Sequence, residues 1–184
     1  MKQKTSKPIF LTGFMGAGKT AIGRALSDIL HWRFVDLDEY IEQRQGQTIT
    51  RIFEKKGEGY FRQVEREAVK RHLAMNESVI AAGGGALQNQ QLTDKIKNKS
   101  LLIFIDCPVA EILKRLKDDK TRPLLLNPDS SEKKAAQLEK DLTQLYKKRL
   151  PLYNQAAFRV DSSKFSSPRN AALYLSQKIN AHEY

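Results

Sequence analysis

Residues 13–20 read Gly-Phe-Met-Gly-Ala-Gly-Lys-Thr. A glycine, four residues and then Gly-Lys-Thr is a spacing that lets backbone N–H groups converge on phosphate oxygens. Glycine suits such a loop because the chain must turn sharply and come close to the ligand. The apolar run Ile9-Phe10-Leu11 precedes it and an amphipathic stretch follows it, so the loop lies between a strand and a helix N-terminus, whose dipole favours anions. In that setting Gly16, Ala17 and Gly18 line the phosphates. Lys19 reaches the β- and γ-phosphates of a nucleotide, and Thr20 holds magnesium. A GTPase switch, an ATPase motor and a kinase all share this loop. The Asn-Lys-x-Asp pattern that reads guanine is absent.

A carboxylate is needed beside the metal, and two strand ends offer one. Asp106 follows Leu102-Ile103-Phe104-Ile105, but Cys107-Pro108 comes next and supplies no polar group to position water. Asp36 and Asp38 close the segment Arg33 to Asp38, which reads as a strand. Alternate positions on a strand project to one face, so one carboxylate can serve the metal while the other accepts a proton from a hydroxyl. The plainer reading is that both cap the helix that follows, where acids are favoured.

These groups need a scaffold. Pro8–Thr12, Arg33–Asp38, Ser78–Ala82, Leu101–Ile105 and Ala157–Val160 read as five strands. The runs around Ile9 and Leu101 are apolar throughout, the pattern of parallel strands buried on both faces. Helical spacing appears after the phosphate loop (Ala21, Ile22, Ala25, Leu26, Ile29), over Glu39–Gln45 and over Thr48–Lys56, the last ended by Gly57. It returns from Phe61 to Leu73, after Asn89 as cap, after Pro108, around Leu138, Leu142 and Leu145 up to Pro151, and from Leu173 to Ile179. Asp118–Ser130 holds Pro123 and Pro128 and reads as a loop. Strands alternating with helices indicate an α/β domain with a parallel sheet. No repeat or linker divides the chain, so residues 1–184 are expected to form one domain.

The composition narrows the function further. The chain has 184 residues and a net charge of +11. A core can form at that length without staples. The basic runs are only pairs and triplets with acids interspersed, the pattern of a solvated surface. A nucleic-acid binder would need a clustered basic face or stacking aromatics. No apolar run approaches the ~20 residues that span a bilayer, and no signal-peptide pattern opens the chain. A single cysteine, Cys107, excludes an internal disulfide and a cysteine-rich zinc site. It fits a reducing, cytoplasmic setting. His31, His72 and His182 lie far apart and are expected at the surface or the core edge.

An ordered set of segments resembles the shikimate kinase family over almost the whole chain. They are Gly16-Ala17-Gly18-Lys19-Thr20, Asp36-Leu37-Asp38, Ile52-Phe53, Gly57-Glu58-x-x-Phe61-Arg62-x-x-Glu65, Gly83-Gly84-Gly85-Ala86, Arg122-Pro123-Leu124-Leu125 and Arg149-x-Pro151-x-Tyr153. The resemblance implies a three-layer P-loop kinase fold with a five-stranded parallel sheet. It also implies a helical substrate-binding region over about 36–70 and a mobile lid over about 118–130. The implied reaction is ATP-dependent phosphorylation of the 3-hydroxyl of shikimate, with magnesium. A monomer that engages neither nucleic acid nor membrane is expected. Lys19 and Thr20 keep the roles above. Asp36 is implied in the magnesium shell, and Asp38 on the substrate hydroxyls as base. Arg62 and Arg149 are implied on the substrate carboxylate, with Glu65 orienting Arg62. Gly83, Gly84 and Gly85 are implied to bring backbone donors close to the substrate and the γ-phosphate, Arg122 to reach the transferring phosphoryl group and Arg115 to stack beside adenine. The planar fork of arginine suits a carboxylate on chemical grounds alone. The segment Asp161–Pro168, where the rest of the adenine site is expected, carries no readable motif. Another P-loop small-molecule kinase, for gluconate or a nucleoside monophosphate, is the competing enzyme reading.

Overall fold

The computed structural model describes residues 7–116 and 135–181. The expected lid with Arg122 lies outside the described residues, as does His182. Five strands form one parallel sheet in the order β2-β3-β1-β4-β5. They are β1 (Ile9–Thr12), β2 (Arg33–Asp36), β3 (Ser78–Ala81), β4 (Leu101–Asp106) and β5 (Phe158–Asp161). Residues of β1, β3 and β4 are buried throughout, as apolar runs in the centre of a parallel sheet must be. Phe10 pairs with Ile80 on one side and Leu102 on the other. Asp36 pairs with Ala81 and Asp106 with Asp161. The carboxyl ends of the strands therefore form one edge, where ligands of open α/β sheets bind.

The helices are α1 (Lys19–Leu30), α2 (Leu37–Gln45), α3 (Ile49–His72), α4 (Gln90–Lys99), α5 (Val109–Leu116), α6 (Ala135–Tyr153) and α7 (Pro168–Ala181). Helix α1 buries Ile22 and Leu26 and packs along α7. It ends at His31, in the left-handed region at φ 56°, and the Trp32 N–H returns to the Ser27 carbonyl at 2.9 Å. Of the other histidines, His72 is buried, with Nδ1 2.8 Å from the Ala68 carbonyl oxygen.

Three boundaries differ from the sequence expectation, each for a local reason. First, β2 stops at Asp36 and α2 starts at Leu37. The Asp36 carboxylate accepts the N–H groups of Asp38 at 2.9 Å and Glu39 at 3.3 Å. It is a helix N-cap, and Asp38 stands in the first turn of α2, not on a strand. Second, α3 continues past Gly57 as a kinked helix. Gly57 takes φ 77° and ψ 170°, a geometry open to glycine that bends the helix and lets it resume. Third, α6 runs through Pro151 to Tyr153. In a last turn proline removes one N–H only, and the Asn154 N–H still reaches the Leu150 carbonyl at 2.9 Å. Burial of Tyr153, 1% exposed, draws the end of the helix into the site and offsets that loss.

Candidate active site

The phosphate loop leaves β1 through Gly13, whose φ is 145°. A methyl group at Gly13 would collide with the Ile105 carbonyl, so only glycine lets the loop lie against the end of β4. Gly18, at φ 92°, precedes α1, and no side chain caps that helix. Its first N–H groups and dipole are directed to the cleft. Lys19 Nζ donates to the carbonyls of Gly13 at 3.0 Å and Phe14 at 2.9 Å, which holds the ammonium over the loop.

Thr20 Oγ1 donates to Asp36 Oδ2 at 2.6 Å. The cap uses Asp36 Oδ1, which leaves Oδ2 facing Thr20 at the mouth of the phosphate loop. Two hard oxygens side by side at the mouth of the phosphate loop fit magnesium, which keeps several waters and takes few protein ligands. Among the described residues no cluster of three or more acidic, histidine or cysteine side chains could hold a metal. A cation here would take phosphate and water oxygens for the rest of its shell. Lys19, Thr20, Asp36, Asp38 and Gly84 line one cleft with a cavity volume of about 260 Å³.

Asp106, the other strand-end acid, is engaged elsewhere. Its Oδ2 accepts from Arg159 Nε at 3.1 Å and Nη2 at 2.7 Å, and its Oδ1 from the Tyr146 hydroxyl at 2.8 Å. Burial and the Asp106 charge push the Tyr146 phenol up to about 12, so it remains a donor.

Beyond β3 the three consecutive glycines each open on a different charged side chain. A methyl at Gly83 would stand 2.8 Å from Asp38 Oδ1 and 3.2 Å from Glu65 Oε1. One at Gly84 would stand 3.3 Å from Arg149 Nη1, and one at Gly85 2.5 Å from Arg62 Nη1. Residues from α2, α3 and α6 thus converge on one glycine turn beside the phosphate loop.

The two arginines are held differently. Arg62 Nη1 donates to Glu65 Oε2 at 2.7 Å, and its Nε and Nη2 reach Glu58 Oε1 at 3.2 and 3.1 Å. Burial disfavours the Arg62 charge, but Glu65 and Glu58 more than offset that and hold its proton tightly. Burial pushes the Glu65 carboxyl above its usual range, and the nearby Asp38 charge adds to this against the pull of Arg62. Arg149 has no ion pair among the described residues; its guanidinium lies 5.9 Å over the Phe14 ring. The buried atoms Arg149 Nε and Glu65 Oε1 make no hydrogen bond. Two buried, unpaired polar atoms in one small region are what a site built for a polar ligand leaves without a protein partner.

On the far side of the phosphate loop, Arg115 Nη1 donates to the Gly16 carbonyl at 3.1 Å and to Ser162 Oγ at 3.3 Å. Arg115, Ser162, Phe165, Ser167 and Pro168 border a second cleft of about 320 Å³ that shares Gly16 and Gly18 with the first. This is the part that carried no motif. Cys107 hydrogen-bonds Ser162, and burial pushes its thiol up, so it stays protonated. Tyr153, quoted above in a motif without a role, donates its hydroxyl to the Gly84 carbonyl at 2.5 Å. Tyr146 left only one trace in the sequence, its spacing of three residues before Arg149.

The comparisons with known proteins agree among themselves. A family model described as Shikimate kinase matches residues 15–180. A Persephonella marina protein named shikimate kinase is 38% identical over 160 residues, 87% of this chain and 91% of that one. A solved shikimate kinase from Acinetobacter baumannii, in complex with shikimate, superposes with a TM-score of 0.87 at 34% identity, covering 97% of this chain and 95% of that one. The Aquifex aeolicus enzyme superposes with a TM-score of 0.76 at 35% identity, over 96% and 99% of the two chains. A sugar kinase from Janibacter, at 15% identity and a TM-score of 0.55, shares the fold alone.

Proposed function

Because this chain belongs to the shikimate kinase family, we propose that it transfers the γ-phosphoryl group of ATP to the 3-hydroxyl of shikimate. The products are shikimate 3-phosphate and ADP, on the route to chorismate and the aromatic amino acids. The observation that carries this reading is the glycine turn Gly83–Gly85. It opens in turn on Asp38, Arg149 and Arg62 within reach of Lys19 and Thr20. A small acceptor with one carboxylate and several hydroxyls matches two arginines and one aspartate at that spacing.

The residues divide the work as follows. Arg62 and Arg149 bind the carboxylate, each with donors in a planar fork. Glu65 keeps Arg62 in place. Asp38 orients the hydroxyls and accepts the 3-hydroxyl proton as that oxygen bonds to the γ-phosphorus. The bond from γ-phosphorus to the β–γ bridging oxygen breaks, and ADP leaves with the electron pair. Lys19 and the N–H groups from Gly16 to Thr20 stabilise the charge on the β- and γ-oxygens. Thr20 and Asp36 would hold magnesium, which when bound supplies charge neutralisation across the phosphates. The cleft between Arg115 and Pro168 takes adenine. We assign residues of about 36–70 to acceptor binding and 118–130, with Arg122, to a lid over the phosphates.

Among the described residues no helix is long and apolar enough to cross a membrane. We place the enzyme in the cytoplasm as a monomer that engages neither membrane nor nucleic acid; the buried, protonated Cys107 thiol and the dispersed basic residues support that setting. The test is coupled ADP release with shikimate present, absent, or replaced by gluconate or a nucleoside monophosphate. Shikimate-dependent release supports the assignment, and release driven by gluconate or a nucleotide instead overturns it.

A further inference from the structure

Arg149 differs from Arg62 in that no carboxylate among the described residues forms an ion pair with it. A guanidinium held for an incoming anion gains from having no resident counter-ion, but its placement must then come from the element that carries it. Helix α6 presents Leu142, Tyr146, Arg149 and Tyr153 at helical spacing on one stripe. Both tyrosines are tied to the sheet's carboxyl edge. Tyr153 reaches Gly84, its ring lies 5.1 Å from Phe104, and its hydroxyl also meets Arg149.

Tyr146 makes its tie three residues before Arg149. Its hydroxyl donates to Asp106 Oδ1, whose other oxygen is gripped by Arg159 of β5. Its ring meets Phe14 edge-on, with centroids 5.8 Å apart at 81°. Phe14 is 1% exposed and is the same ring over which Arg149 lies. The Phe14 ring therefore touches both the anchor and the arginine it places. Asp106 stands where a metal-binding acid would be sought, yet both of its oxygens are committed to this tie.

We propose that Tyr146, held by Asp106 and Arg159, is a positioning residue that sets Arg149 for the carboxylate of the acceptor. The proposal rests on the acceptor reading given above. Without the tie, the middle of α6 is free to roll on the sheet. Arg149 then loses its register with Gly84, while Lys19, Thr20 and the nucleotide cleft are untouched.

The experiment compares wild type, Tyr146→Phe, Arg149→Lys and the double variant in steady-state assays with shikimate and ATP varied separately. Tyr146→Phe keeps the ring against Phe14 and removes only the hydroxyl. The expected result is a rise in the KM for shikimate of about tenfold, the order set by one lost hydrogen bond, with the KM for ATP and kcat within about twofold. In the Arg149→Lys background the same change should add less than about twofold, because its effect runs through the arginine. An unchanged KM for shikimate, equal rises for both substrates, or effects that multiply in the double variant would each overturn the proposal. If Tyr146→Phe fails to fold by circular dichroism, Asp106→Asn is read by the same criteria, with a smaller rise confined to shikimate expected. A wild-type enzyme that shows no shikimate-dependent ADP release instead overturns the acceptor reading itself, whatever the variants do.

Discussion

Thr20 Oγ1 lies 2.6 Å from Asp36 Oδ2, which joins the first turn of α1 to the first turn of α2 across the mouth of the phosphate loop. The same carboxylate caps α2 through its other oxygen. The cap and the proposed magnesium role can be separated by substitution. Asparagine is as good a cap as aspartate but carries no charge. Asp36→Asn should therefore leave the melting temperature nearly unchanged and shift half-maximal activity to higher magnesium. A magnesium titration of kcat checks this, and an unshifted curve removes Asp36 from the metal site.

Among the described residues, Lys19 is the one ammonium lining the cleft at the phosphate loop. Lys19→Ala should lower kcat by about 100-fold or more, the scale of losing a group aimed at developing charge. The fold should persist, because the Nζ bonds to the Gly13 and Phe14 carbonyls lie in the loop at the rim of the cleft. Near-normal turnover in a folded variant would contradict the assignment of the loop.

Gly85 has no room for a side chain beside Arg62, since a methyl group there would stand 2.5 Å from Nη1 and 2.9 Å from Nη2. Gly85→Ala should push the guanidinium away from the glycine turn. The KM for shikimate should then rise by about tenfold or more, as for a displaced charge-assisted hydrogen bond. The KM for ATP should hardly move. Equal changes in both would mean that the glycine turn serves the fold and not the acceptor.

Glu65 gives a pH signature. Its carboxyl is raised above the ordinary value of 4.5 by burial, helped by Asp38 and opposed by Arg62 and Arg149. The folded state then binds the proton more tightly than the unfolded one, so this group's stabilisation is full below pH 4.5 and is lost as pH rises through the folded value. Relative to Glu65→Gln, which does not titrate, wild type should lose stability from about pH 4.5 upward and then level off. Denaturant melts of the two proteins across pH 4 to 8 would measure it. A difference that grows in favour of wild type with rising pH would mean that attraction to Arg62 outweighs burial.

What the sequence could reveal followed from the range of the interactions. The phosphate loop is local, so residue types and spacing sufficed for Gly16 to Thr20. The apolar runs of β1 and β4 were equally plain, because burial on both faces leaves no alternation to interpret. Asp36 and Asp38 were harder. A strand end and a helix cap share the same residues, and only the hydrogen bonds from the Asp38 and Glu39 N–H groups separate them. Pro151 misled because proline ends helices in general, whereas here the buried ring of Tyr153 keeps the last turn wound. Arg62 and Arg149 were nameable only through the motifs around them, since the glycine turn that unites them lies in another part of the chain. Tyr146 and Asp106 are 40 positions apart, and no periodicity or motif links such a pair. The cleft beside Arg115 was expected only through the resemblance and carried no motif over Asp161–Pro168, for the same reason: Gly16, Arg115 and Pro168 meet only in the fold.

The central claim is that Asp38, placed by the Asp36 cap against Gly83, takes the proton from the acceptor hydroxyl. The most direct measurement is the rate of shikimate-dependent ADP release by wild type and Asp38→Asn, at saturating ATP and magnesium, with nucleotide affinity measured alongside. Asparagine keeps the shape but loses the charge and the ability to accept the proton. A fall in kcat of at least ~100-fold with nearly unchanged nucleotide affinity is the predicted result; near-normal kcat in the variant would contradict it.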